Sequence, residues 1–70
     1  MFEFSRIASN QDKWMDTILL NSVSIGTIGL DDKGIFLKAK RSLTLQELNL
    51  LIAQLITRNP NLLSEKINIF

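Results

Sequence analysis

The stretch from Leu43 to Asn59 constrains this chain more than any other, because start signals, hydrophobic period and composition agree there on one conformation. Thr44-Leu45-Gln46-Glu47 has the form of a capping box, in which the threonine hydroxyl and the glutamate carboxylate each take up a backbone N–H that a helix start leaves unpaired. Leu43 before the cap and Leu48 four residues after it add a hydrophobic staple. At about 100° of rotation per residue, Leu45, Leu48, Leu51, Ile52, Leu55 and Ile56 fall on one stripe, with Gln46, Glu47, Gln54, Thr57 and Arg58 outside it. Leu50 falls on the polar side and Ala53 at the stripe's edge, so the predicted helix carries more apolar surface than one packed face needs.

That surplus matters because the chain is short. Its 70 residues form a single domain, residues 1–70, in which only about 60% of the unfolded chain's surface can be buried. There is no cysteine and no histidine, so disulfides and the usual zinc ligands are both excluded as staples. Association is the remaining way to stabilise so small a core, and a hydrophobic content of 46% favours it. The longest apolar run, Leu50 to Ala53, is far below the ~20 residues that span a bilayer. An acidic start at Glu3 lacks the basic region of a signal peptide, and a cytoplasmic location is the expectation. A net charge of +1 predicts neither a nucleic acid nor a membrane partner.

In chain order, Phe2 and Phe4 alternate with polar residues and predict a short strand over Met1 to Ala8, with a docked arm as the alternative. Ser9-Asn10-Gln11-Asp12 resembles a helix start, and Trp14, Met15, Ile18 and Leu19 recur at helical spacing, which predicts a helix from about Asn10 to Leu20. Val23 to Leu30 and Ile35 to Lys40 flank the turn Asp31-Asp32-Lys33-Gly34 and predict a β-hairpin. Its expected register sets Leu30 against Ile35, Ile28 against Leu37 and Gly26 against Ala39, leaving Ile25, Thr27, Gly29, Phe36, Lys38 and Lys40 on the other face. After Arg58-Asn59-Pro60, a terminal strand over Lys66 to Phe70 competes with a short helix from Pro60 to Lys66. The order strand, helix, strand, strand, helix, strand predicts an α+β domain of the ferredoxin-like βαββαβ kind, an antiparallel sheet with two helices on one face. The alternative is a helix–β-hairpin–helix domain.

The inventory argues against an enzyme. Without His, Cys or Tyr, acid and base groups reduce to Asp, Glu and Lys, and no serine has a histidine partner. Asp31-Asp32 lacks the alternating ligands of a calcium loop, and Ser24 to Gly29 lacks the lysine and helix of a P-loop, so neither a metal nor another cofactor is expected. Lys33, Lys38, Lys40 and Arg41 form one basic cluster around Phe36, a pattern able to stack a base and hold phosphates. The same charges equally serve to keep a strand from pairing indiscriminately.

Gly34-Ile35-Phe36-Leu37-Lys38-Ala39-Lys40, followed by Leu43-Thr44 and the leucine-rich helix, resembles the hairpin-to-helix segment of the small N-terminal docking domains of nonribosomal peptide synthetases. Extended through Asn59-Pro60 to Ile67-Asn68-Ile69, the segment also resembles the soluble part of biopolymer-transport proteins. Both resemblances imply dimerisation and protein binding. The expected function is a non-enzymatic protein-interaction module, an adaptor, docking unit or inhibitor, acting as a homodimer through an exposed apolar and hairpin surface. Phe2, Phe4 and Leu50, with Phe36 and Lys38 on the open sheet face, are the expected contacts. The alternative is a nucleic-acid-binding module using Lys33, Phe36, Lys38, Lys40 and Arg41.

Overall fold

The computed structural model describes residues 2–70, so the first residue of the predicted Met1–Ala8 strand lies outside the described residues. The described residues form five strands, β1 (Phe2–Asn10), β2 (Lys13–Leu20), β3 (Val23–Asp31), β4 (Gly34–Ala39) and β5 (Ile67–Ile69), with one helix, α1 (Leu45–Arg58), and a 3-10 turn over Pro60–Ser64. The strands lie in sequence order in one sheet. The first four make an antiparallel meander. β5 returns beside β4 in parallel, after the crossover that a parallel pairing requires.

This overturns the ferredoxin-like expectation, which needs two helices, and the helix–hairpin–helix alternative with it. The predicted helix from Asn10 to Leu20 is instead the end of β1, a tight turn and all of β2. Gln11 turns the chain with a φ of 53°, and Asn21 and Ser22, at 53° and 67°, supply the pair of positive φ values that a two-residue hairpin turn demands. Trp14, Met15, Ile18 and Leu19 fit a helical period, but they fit two faces of a strand equally well. Trp14, Asp16, Ile18 and Leu20 look toward α1, while Met15, Thr17 and Leu19 look away. The alternation is disguised by Asp16, a carboxylate only 5% exposed. It accepts a hydrogen bond from Arg6 Nε on the paired strand, and the Arg6 guanidinium in turn lies 5.1 Å from the centre of the Trp14 ring.

The predicted hairpin is present with the expected pairs, Leu30 against Ile35, Ile28 against Leu37 and Gly26 against Ala39. Its edges are not open, however, since β3 also pairs with β2 and β4 with β5. Ile25 departs from its expected outer face: a bulge, where the β2–β3 register shifts between Ile18 and Leu19, brings it into the core. That core joins Phe2, Ile18, Ile25, Ile28, Ile35 and Leu37 of the sheet to Leu51 and Leu55 of α1. The two C-terminal alternatives both occur, the 3-10 turn first and the strand after it. Gly34, at φ 111°, has no room for a Cβ against the Lys66 carbonyl, which accepts a hydrogen bond from Ile35 N–H at 2.7 Å.

α1 starts as its sequence requires. Thr44 Oγ1 accepts from Glu47 N–H at 3.0 Å, and Glu47 Oε1 accepts from Thr44 N–H at 2.9 Å. The Arg41 guanidinium meets the same carboxylate at 3.2 and 2.8 Å. Hydrogen bonding to Arg41, and then to the Thr44 backbone, holds the Glu47 carboxyl at about 2, below the ordinary 4.5. The folded-state value is the lower one, so this stabilisation is complete above about pH 4.5 and drains away as pH falls toward 2. Glu47→Gln should therefore lower thermal stability at neutral pH and narrow its gap to the wild type in acid. Parallel melts at pH 7 and pH 3 check this.

Candidate functional site

α1 divides its apolar residues between two jobs. Leu51 and Leu55 point down into the core, whereas Leu48, Ile52 and Ile56 lean toward the β5 side and meet Leu62 and Leu63 of the 3-10 turn. Proline at the start of that turn and Asn59 at the end of α1 stop the helix and swing the chain back over the sheet edge. The result is a groove of about 270 Å³ lined by Ile35, Leu48, Ile52, Leu55, Ile56, Leu62, Leu63, Glu65, Ile67 and Ile69, with Glu65 its one charged member. It opens to solvent where Leu63 is 73% exposed and where Ile67 and Ile69 stand on the outermost strand.

The two sheet edges differ in protection. β1 carries Glu3 and Arg6 and is bent by a register shift between Arg6 and Ala8 that leaves Ile7 unpaired. Gln54 of α1 also ties down its start, accepting from Phe2 N–H and donating to Phe2 C=O, both at 3.1 Å. Bulges and charges are standard protection for an edge. β5 has neither, and its three residues are Ile67, Asn68 and Ile69.

The residues expected to form a contact separate into different environments. Phe2 is sealed in the core at 5% exposure and faces no partner. Phe4 is half-buried beneath the Arg58 guanidinium, 5.3 Å from its ring centre. Leu50 is 51% exposed on the solvent side of α1, in a shallow depression with Ala53, Gln54, Thr57 and Arg58, turned away from the groove. Phe36 and Lys38 do share the open sheet face, beside Met15, Thr27 and Phe70. The Phe36 ring lies directly on Gly29, where any side chain would collide with it.

The five residues of the nucleic-acid alternative do not gather into one patch. Lys33 precedes β4 and Lys40 follows it, about 20 Å apart along an extended strand. Arg41 is held by Glu47. At the far end of the hairpin, Asp12, Asp31, Asp32 and Glu65 line a polar hollow with Lys13, which pairs with Asp32 at 3.0 Å. Among the described residues no group of acidic side chains is arranged to hold a metal ion, and no helix is long and apolar enough to cross a membrane.

Sequence reasoning missed the groove. Its signal was present in the apolar residues of Leu62-Leu63 and Ile67-Asn68-Ile69 and in the width of the α1 stripe, but these lie apart in the chain and only the crossover brings them together. No family model matches the chain, and no curated protein or solved structure is significantly similar to it.

Proposed function

We propose that this chain is a non-enzymatic protein-interaction module that self-associates and works by covering apolar surface. The observation that carries the reading is the open apolar groove between α1, the 3-10 turn and β5, which concentrates Leu63, Ile67 and Ile69 at one sheet edge. Contiguous exposed apolar area of this kind marks interaction sites. Total surface supports the same conclusion. A folded monomer of 8.0 kDa is expected to expose about 4,450 Å². This chain exposes 4,997 Å² although its radius of gyration, 11.3 Å, is that of a compact domain, for which about 11 Å is expected.

Sedimentation velocity from micromolar to millimolar concentration tests the reading. The average mass should rise above 8.0 kDa with concentration, and Leu63→Asp should hold it near that value. Added salt should change little, because an apolar contact has few counterions to release. Binding of a single-stranded oligonucleotide that weakens steeply with salt would favour the basic hairpin face instead. A single 8.0 kDa species at every concentration would refute self-association.

A further inference from the structure

The self-association reading leaves open which surface meets which, and the backbone of β5 supplies an answer that rests on that reading. In an extended strand, the N–H and C=O of one residue point to one side and those of the next residue to the other. Lys66 C=O and Phe70 N–H both bond to β4, at 2.7 and 2.8 Å, which turns the backbone groups of residues 66, 68 and 70 inward. Those of Ile67 and Ile69 therefore point out from the sheet edge. Each copy of the chain thus offers two donors and two acceptors, spaced two residues apart.

We propose that two copies pair antiparallel through β5 about a two-fold axis passing between their Asn68 residues, with Ile67 of each copy hydrogen-bonded to Ile69 of the other. This register uses every outward group: two Ile67–Ile69 pairs, each exchanging two hydrogen bonds, saturate both edges. Pairing Ile67 with Ile67, or Ile69 with Ile69, would leave half of the groups unmatched. The side chains agree with the backbone. The contact is isologous, with Ile67 of each copy against Ile69 of the other on either side of Asn68. All four isoleucines then lie on the helix-bearing face, where each copy's apolar groove continues into the other's. No charge meets its like within the paired segment.

The two sheets would join into one of ten strands, with β1 as the outer edge at both ends.

The chain has no cysteine, so a single introduced thiol reports the register without interference. Asn68 and its symmetry mate would form a non-hydrogen-bonded pair with Cα atoms about 4.5 Å apart, inside the span a disulfide bridges. In the intact chain, Asn68→Cys under mild oxidation should form covalent dimer at least about tenfold faster than Ser9→Cys, an exposed position on β1 at the opposite edge of the sheet, because association raises the local thiol concentration only at the axis. Circular dichroism of both reduced variants checks that they are folded. If the wild type dimerises but Asn68→Cys cross-links no faster than Ser9→Cys, the β5 register is wrong while self-association stands. If the wild type stays monomeric at millimolar concentration, both fail.

Discussion

Leu51→Ala should cost about 3 kcal/mol and lower the melting temperature by about 10–25 °C. Leu51 is 0% exposed and sits on the underside of α1, where the helix presses on the sheet. Removing its branched end loses the transfer free energy of the side chain and leaves a cavity that a sheet on one side and a helix backbone on the other cannot collapse to fill. A 70-residue domain has a total stability of about 4–10 kcal/mol, so one such cavity removes a large part of it. Thermal and urea denaturation followed by circular dichroism would read the change. Leu48→Ala, at the half-buried margin of the same helix, should cost clearly less. Equal losses at the two positions would mean that α1 is not seated as described.

Arg6→Ala should cost about 1–3 kcal/mol, because it leaves Asp16 buried without its partner. The pair lies on the helix-facing side of β1 and β2 with Ile28 across from Asp16 on β3, so the carboxylate has apolar neighbours and little access to water. Arg6 itself is half exposed, which screens the ion pair and keeps the loss below that of a fully buried one. The double variant Arg6→Leu with Asp16→Leu should recover much of the loss, since a buried ion pair and a well-packed apolar pair of similar volume are often near equal in stability. A double-mutant cycle by urea denaturation measures the coupling. Additive losses would show that the two side chains do not act as a pair.

Asp16 also shows why half of the fold was hard to read. A charged residue at the centre of Lys13–Leu20 breaks the alternation of a strand with one dry face, and what remains, Trp14, Met15, Ile18 and Leu19, matches a helix turn for turn. The contact that makes Asp16 tolerable comes from Arg6, on another strand, and no local pattern announces it. Asn10 to Asp12 misled for a related reason. Short polar residues cap helices and also make tight turns, and only the positive φ at Gln11 separates the two. Where the determinants are local, the reading was accurate. Thr44 and Glu47 close their capping box, and Asp31 to Gly34 turn the hairpin into the expected register. Ile25 lies between these cases, since its strand was legible but the bulge that turns it inward depends on how β2 pairs. The groove belongs with the non-local features, because Leu48, Ile52, Leu63 and Ile67 meet only through the β4–α1–β5 crossover.

Hydrogen exchange at the amides of Ile67 and Ile69, followed residue by residue by NMR as concentration rises, tests most directly whether the exposed apolar edge is covered by association. Protection at these two outward N–H groups should be near nil in dilute solution and increase with concentration, while the inward Phe70 N–H is already partly protected by Leu37 C=O. Exchange of the Ile67 and Ile69 amides at the rate of free backbone at every concentration, in a folded protein, would contradict it.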